Sequence, residues 1–334
     1  MTVDGTNSSA TIAGFTFVGT GFGAASLTIS GGAVVDSQFG AAIEHPTDSA
    51  SVTVTGRNSA WTVGNALAVG GFFVGAPGYL AVSAGGAVTV TGATLIGADP
   101  VLGLGPSLVT VTGAGSALST VDLAIGYSCF CADLAATLTV ADGGRVSVTG
   151  QALIGPLGIL NLGIGGLAGT IAAPAITNDG RIVANFTDTV TLSANIDGTG
   201  TLQKLGPGRL VLSGNSTYTG ATTVDGGTIA VDGSIMSPVT VNAGGTLGGT
   251  GSVGSTTINA GGVLSPGNSI GTITINGNLS FVGAGSYLVE VAPAGADRTN
   301  VTGNASVTGT LTAVGTGSGY KIDSRYTVLN ALAA

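Results

Sequence analysis

The sequence has few charged and few aromatic side chains. Of its 334 residues, 7% are charged and 5% are aromatic, and there is one histidine. Soluble domains usually carry roughly 25% charged residues. A hydrophobic content of 44% excludes a disordered chain, which would be charge-rich and poor in apolar residues. The 8 basic and 16 acidic residues give a net charge of −8, so no basic surface for nucleic acid is expected.

Glutamate and the other charged helix formers are also scarce, and glycine is abundant. The only glutamates are Glu44 and Glu290, whereas glycine accounts for 61 residues. Gly, Thr, Val and Asn are poor helix formers, so a helical protein is not expected. Ten prolines and no glycine at every third position exclude collagen. The composition therefore predicts an all-β chain that is rich in turns.

No segment has the pattern of a secretory signal or a membrane-spanning helix. Met1 to Val18 has neither a basic start nor a continuous apolar core, and the chain opens as if within a repeat. Two stretches, 58–98 and 146–178, lack charged residues, but Gly, Pro, Ser and Thr interrupt them. We therefore expect no transmembrane helix, and we expect the chain to be a fragment or to have an internal start.

Repeated segments predict the architecture. Residues 51–56 (Ser-Val-Thr-Val-Thr-Gly) recur closely at 108–113, and 80–92 recur closely at 138–150, with offsets of 57 and 58. In the second half, Gly-Gly pairs begin at positions 226, 244 and 261, which gives successive offsets of 18 and 17. Three steps of 17 or 18 residues add up to roughly the longer offset of 57 or 58 residues. A unit of this size cannot bury its own apolar face, so it must stack on its neighbours.

The expected fold is a right-handed parallel β-helix, a solenoid with coils of roughly 18 residues. In this fold, inward Val, Ile and Leu form the core, and each strand pairs in parallel with the next coil. Sandwiches, with strands every 8–12 residues, and propellers, with blades of about 40–45, fit the short period poorly.

A resemblance to a known family rests on residues 198–231. The segment contains Lys204, then Gly-Pro-Gly, Leu-Val-Leu and Asn-Ser-Thr-Tyr-Thr-Gly. It resembles the autotransporter-associated β-strand repeat of Gram-negative type V secretion passengers. Further strings at 244–251, 264–271 and 297–303 resemble the carboxy-terminal part of such passengers.

This resemblance implies an extracellular or cell-surface passenger, exported through an outer-membrane translocator barrel. Residues 1–196 would be an irregular β-helical passenger region. Residues 197–334 would hold the repeat and the carboxy-terminal passenger part. The barrel's strand-like segments are absent from the sequence, so we expect a truncated record or a split gene.

Two glycine-rich strings imitate catalytic or cofactor motifs. Gly267-Asn268-Ser269-Ile270-Gly271 matches the nucleophile elbow, but the sole histidine, His45, lies far upstream in the chain. The string at 249–254 matches a dinucleotide fingerprint, but the residues after it cannot start a helix. Both strings are interpreted as turns of the β-helix, and no cofactor is predicted.

The remaining candidate residues are His45 and the two cysteines. His45 lies in the polar cluster 44–48, where a loose metal site or an acid–base pair is weighed against a protruding loop. Cys129 and Cys131 would point to the same face of a strand, which favours a local disulfide or two free thiols. Zinc and redox motifs fit this spacing poorly. No catalytic or metal residue is predicted.

Three classes of function stay open on the sequence. The favoured one is a non-catalytic, adhesin-like passenger that contacts a host or surface protein or a glycan. A polysaccharide-active β-helix enzyme would need carboxylates converging on one face, whereas the aspartates here are isolated turn residues. The third is a mechanical stalk, or a folding nucleus in which 197–334 templates the rest.

Overall fold

A computed structural model describes residues 1–19, 24–44, 49–70, 76–97, 105–127, 134–321 and 323–332. These residues form short strands and turns. They include no helix able to cross a lipid bilayer. The chain divides into two compact units, Met1–Val183 (unit 1) and Ala184–Ala334 (unit 2). Strand β22 (Arg181–Asn185) lies at their boundary.

Unit 1 is a stack of coils, and each coil contributes one strand to each of three parallel sheets. The first sheet consists of β1 (Thr2–Asp4), β4 (Ala25–Ser30), β7 (Ala50–Thr55), β10 (Gly78–Ser83), β13 (Ser107–Thr112), β16 (Ala136–Ala141) and β19 (Gly158–Leu162). The second consists of β2 (Ser9–Ile12), β5 (Val34–Ser37), β8 (Ala60–Val63), β11 (Ala87–Val90), β14 (Ala117–Thr120), β17 (Arg145–Val148) and β20 (Thr170–Ala172). The third consists of β3 (Phe15–Val18), β6 (Gly40–Ile43), β9 (Ala66–Val69), β12 (Ala93–Ile96), β15 (Asp122–Ile125), β18 (Ala152–Ile154) and β21 (Ala175–Asn178).

The core of unit 1 lies inside the stack. In β7 buried and half-buried residues alternate, and Val52 and Val54 point inward. In the next coil Leu80 and Val82 stand over them in register. Burying such a side chain contributes about 1.5–3 kcal/mol. The stacked rows of β-branched and leucine side chains therefore stabilise a fold that has few aromatic residues. The parallel β-helix predicted from the sequence is confirmed.

The short coil length predicted from the sequence is wrong for unit 1. Ala50 pairs with Gly78, Ser107 with Ala136, and Thr2 with Thr28. The chain therefore advances by 28, 29 and 26 positions over these three coils. The sequence offsets of 57 and 58 span two such coils, whereas three short ones were expected. Each coil here carries three strands with longer connections between them.

Successive coils of unit 1 differ in the turn between the first and second sheets, which explains the two-coil period. One type ends on a serine, as at Ser59 and Ser116. The other type is a Gly-Gly turn, as at 31–32 and 85–86. The two types bond to each other, because Ser59 Oγ accepts the Gly32 N–H at 3.0 Å. Ser116 Oγ likewise accepts the Gly85 N–H at 3.0 Å.

Unit 2 is also a stack of parallel strands, apart from β39 (Gly295–Ala296), which pairs with β38 (Ser286–Ala292) in antiparallel orientation. Its first sheet consists of β25 (Thr201–Leu205), β28 (Thr222–Val224), β31 (Val239–Val241), β34 (Thr256–Ile258), β37 (Leu279–Phe281) and β41 (Ala305–Ser306). Its second, the groove sheet, consists of β23 (Thr189–Leu192), β26 (Arg209–Leu212), β29 (Gly227–Val231), β32 (Gly245–Gly249), β35 (Val263–Pro266) and β38 (Ser286–Ala292), and β39 (Gly295–Ala296) and β42 (Thr310–Gly315) both pair with β38. The remaining strands are β24 (Asn195–Asp197), β27 (Asn215–Ser216), β30 (Ser234–Ile235), β33 (Ser252–Val253), β36 (Thr272–Ile275), β40 (Arg298–Val301) and β43 (Leu329–Asn330).

The short period predicted from the sequence holds in the middle of unit 2. Thr222 pairs with Val239 and Val239 with Thr256, so the chain advances by 17 positions in each of these coils. Inside, the fully buried leucine and isoleucine side chains of the groove sheet form one row, namely Leu210, Ile229, Leu247 and Leu264. Among the outward residues of the same strands, Thr228, Thr246, Gly248 and Ser265 form the floor of the site described next.

Candidate functional site

A groove of about 390 Å³ lies on the outer face of the groove sheet in unit 2. Its floor contains Thr228, Thr246 and Ser265, from three successive strands. Arg209 and Glu290 contribute charged side chains of opposite sign. No ion pair joins them in the described part of the chain. The groove therefore offers separate donors and acceptors on a surface that is otherwise poor in charge.

One wall of the groove is the loop 266–271, which leaves β35 and folds back onto the preceding coil. Gly267 and Gly249 form an antiparallel bridge, with N–H···O distances of 2.8 and 3.2 Å. Both glycines have positive φ, +84° and +103°. A Cβ on Gly249 would lie 2.2 Å from the Val231 carbonyl oxygen. Glycine is therefore required at this close approach of two backbones.

The exposed end of this loop is held by the side chain of Asn268. Its Oδ1 accepts a hydrogen bond from the Arg209 guanidinium. Its Nδ2 donates to Asp232 Oδ1 at 2.9 Å. The Thr250 N–H donates to the same Asp232 oxygen at 3.2 Å. The amide thus links two earlier coils and fixes the position of Arg209 beside the groove.

Asp297 anchors the buried end of the loop. Its Oδ1 accepts the Gly271 N–H and its Oδ2 accepts the Glu290 N–H, each at 2.8 Å. Burial raises the pKa of the Asp297 carboxyl above its ordinary value. The nearby Glu290 raises it further, whereas the two backbone hydrogen bonds lower it. Both oxygens are engaged inside the protein, so Asp297 positions the loop and Glu290 and does not line the groove.

Lys204, in strand β25 of the first sheet, is fully buried. Its Nζ donates to the carbonyl oxygens of Leu205 and, at 2.8 Å, Gly206, and it lies 4.8 Å from the centre of the Phe186 ring. Burial lowers the pKa of Lys204 to about 8. The amine thus satisfies carbonyl groups of the turn that leads into β26, whose first residue is Arg209.

Tyr218, from the same sequence string, is also fully buried. Its hydroxyl shares a hydrogen bond of 2.6 Å with Thr222 Oγ1, which is 2.6 Å from Ser237 Oγ. Burial raises the pKa of Tyr218 above its ordinary value, and the hydrogen bonds partly offset this rise. Thr222 therefore links Tyr218 to Ser237 of the next coil from inside.

Ser269, the serine of the elbow-like string, is exposed beside the groove. A sharp strand-to-helix turn should carry such a nucleophile, but the string ends where β36 begins. The string at 249–254 likewise runs through β33 without a helix. Neither string therefore leads into a helix. Among the described residues, no cluster of His, Cys, Asp or Glu could hold a metal ion.

His45, Cys129 and Cys131 lie outside the described residues, so a disulfide between the cysteines and a role for His45 stay predictions. Glu44, beside the histidine, is described and is buried. The groove residues Arg209 and Glu290 were not singled out from the sequence. They are 81 positions apart in the chain, and only the coil register brings them to one face.

Comparison with known proteins agrees with the resemblance found in the sequence. The family described as Passenger-associated-transport-repeat matches residues 202–231. The predicted repeat is thereby confirmed, and it covers β25, β26, β27, β28 and β29.

Two curated relatives match longer segments. The adhesin BmaC autotransporter of Brucella suis biovar 1 (strain 1330) is 35% identical over 277 residues, which are 75% of this chain and 8% of that protein. An extracellular serine protease of Serratia marcescens is 40% identical over 87 residues, 26% of this chain and 8% of that protein. The chain thus matches about 8% of the length of each relative.

Among solved structures, a crystal structure of a TibC-catalyzed hyper-glycosylated TibA fragment matches with a TM-score of 0.34. The two are 15% identical, and the match covers 95% of this chain and 97% of that one.

Proposed function

We propose that this chain, which carries the passenger-associated transport repeat, is a non-catalytic, adhesin-like segment of an autotransporter passenger displayed outside the cell. The observation that carries the proposal is the match at 202–231 together with the parallel coils in which it lies. The similarity to an adhesin autotransporter over 277 residues supports the adhesive role. The translocator barrel that exports the chain is the expected partner, and a surface protein or glycan is the expected ligand.

The lining of the groove supports a binding role over catalysis. Hydrolysis of a glycosidic bond uses two carboxyl groups that flank the substrate. Here Glu290 lines the groove, but the neighbouring Asp297 is buried with both oxygens bonded to backbone N–H groups. Ser269 has no histidine among the residues described around it.

Display can be tested by joining residues 1–334, with an amino-terminal epitope tag, to the barrel of a characterised autotransporter. Antibody should label the tag on intact cells. These cells should also adhere to surfaces coated with a cell-surface protein or glycan better than cells that carry the barrel alone. Labelling only after the outer membrane is permeabilised would contradict the proposal. Release of fragments from casein or soluble polysaccharides by the purified chain would contradict its non-catalytic part.

The repeat also supports a second role, that residues 197–334 act as a folding nucleus for the rest of the chain. The support is that buried hydrogen bonds join Tyr218 to Thr222 and Thr222 to Ser237 of the next coil, while Lys204 bonds to carbonyl groups of its own turn. Deleting 197–334 should slow refolding of residues 1–196, as followed by far-ultraviolet circular dichroism. Unchanged refolding would exclude this role.

A further inference from the structure

We propose that the groove on unit 2 is a binding site for a neutral glycan, with Arg209 and Glu290 as its principal polar contacts. The proposal rests on the adhesive role proposed above and names the class of ligand. It depends on the geometry of one concave face, where groups of both charges and several hydroxyls converge.

Arg209 supplies hydrogen-bond donors to the groove, and Glu290 supplies hydrogen-bond acceptors. A guanidinium has five N–H donors, and Arg209 uses one of them for Asn268. The Glu290 carboxylate accepts only, and it has no hydrogen-bond donor among the described residues. A sugar hydroxyl both donates and accepts, so a polyhydroxyl ligand can satisfy both side chains. An ion of either sign would be repelled by one of them.

The floor adds three hydroxyl groups. Thr228 and Thr246 are paired residues of β29 and β32, so their hydroxyls lie one strand spacing apart, about 4.8 Å. Ser265 of β35 pairs with Gly248, two residues beyond Thr246, so its hydroxyl lies diagonally from that of Thr246. Volumes of about 300–1,000 Å³ are usual for small-ligand sites, and the groove of about 390 Å³ lies in that range.

The site is held in place before any ligand binds. The bridge between Gly249 and Gly267 and the links from Asn268 to Arg209 and Asp232 fix the wall. Arg209 therefore loses less side-chain freedom on binding than an unrestrained arginine would. Preorganisation of this kind favours binding because less conformational entropy is lost.

An extended peptide fits the groove less well. Peptides commonly add a strand to an exposed sheet edge or insert side chains into apolar pockets. The floor strands β29 and β32 are already paired on both sides, so their backbone groups are occupied. The lining contains no aromatic side chain, and its one apolar ring is that of Pro266.

The test measures binding of the purified full chain to immobilised neutral trisaccharides of glucose, galactose and N-acetylglucosamine, with acidic and basic hexapeptides alongside. At least one trisaccharide should bind. Arg209→Gln and Glu290→Gln should each weaken that binding about tenfold, and Thr246→Trp, which fills the groove from its floor, should abolish it. Arg325→Gln removes an exposed positive charge outside the groove lining and should leave binding unchanged.

Failure of every trisaccharide to bind, or binding that survives Thr246→Trp in a folded variant, would overturn the proposal. Retention of a peptide alone would replace the glycan by a protein ligand and would also overturn it. Circular dichroism of each variant separates loss of the site from loss of fold. The assay uses purified protein, so a failure of display would not affect it, and a failure to bind glycan would leave display untouched.

Discussion

The guanidinium of Arg209 donates a hydrogen bond to the side chain of Asn268, which lies 59 residues later in the chain. The contact is possible because β26 and the loop after β35 lie on the same face of stacked coils. A second bond ties Asn268 to Asp232. The Asn268 amide thus holds both the loop 266–271 and the Arg209 guanidinium in place, so its removal should loosen both.

The first prediction concerns Asn268→Ala. The loop 266–271 loses its link to Arg209 and Asp232, so amide hydrogen exchange at Gly267 and Gly271, whose N–H groups are hydrogen-bonded in the parent, should become faster. Global stability should fall by only about 0.5–1.5 kcal/mol, because the lost bonds are exposed. Asn276→Ala, at an exposed asparagine of the same unit, is the matched control. Equal exchange in the two variants would contradict the role assigned to Asn268.

The second prediction concerns Asp297→Asn. The carboxylate accepts two backbone N–H groups, whereas an amide has one accepting oxygen and would turn its NH₂ towards the other donor. The free energy of unfolding should therefore fall by about 1–3 kcal/mol. Chemical denaturation at pH 7 measures it. A variant as stable as the parent would show that one of the two hydrogen bonds contributes nothing.

The third prediction concerns Gly249→Ala. The new methyl carbon would lie 2.2 Å from the Val231 carbonyl oxygen, at a residue with φ of +103°. The bridge to Gly267 should open, with a loss of more than about 2 kcal/mol. Gly283→Ala is the control, since Gly283 also has positive φ but its added Cβ would have no neighbour closer than 3.4 Å. If both variants lost a similar free energy of unfolding, the positive φ would account for the effect and the close contact with Val231 would not.

The fourth prediction is a pH dependence from Lys204. Burial lowers its pKa from 10.5 to about 8 in the folded chain, so between these values the unfolded state binds more protons. Stability should therefore rise with pH from about 8 towards 10, by up to about 3 kcal/mol. Above pH 10 the opposite effect sets in, because burial raises the pKa values of Tyr218 and Tyr287, the latter to about 12.

Lys204→Met should abolish the rise with pH. Denaturation curves of the parent and the variant between pH 7 and 9.5 test this, and Lys321→Met, at an exposed lysine, should keep the rise. If the rise survives in Lys204→Met, its origin lies elsewhere in the chain.

The class of fold could be predicted from the sequence because its signals are local. Alternation such as that of Val52 and Val54, the glycine turns and the string around Lys204 each occupy a short stretch of the chain. The length of the coils in unit 1 could not be predicted in the same way. Their turns alternate between two types, so the strongest self-similarity appears at two coils and conceals the single one.

The groove could not be predicted, since its residues come from separate coils. Arg209 and Glu290 are ordinary surface residues until the register is known. In the sequence Asp297 is only part of the family-like string 297–303, and its burial and its two backbone partners identify it as an anchor. One feature could have drawn attention to the site, namely that Glu290 is one of only two glutamates.

The hydrogen bond from the Gly32 N–H to Ser59, repeated from the Gly85 N–H to Ser116, limits how many coils unit 1 can gain or lose in related genes. Loss of one coil would bring two turns of the same type together and leave a serine or a glycine amide without its counterpart. Loss or duplication of a pair restores the same neighbours on both sides. Insertions and deletions that preserve the fold in related genes should therefore remove or add coils in even numbers.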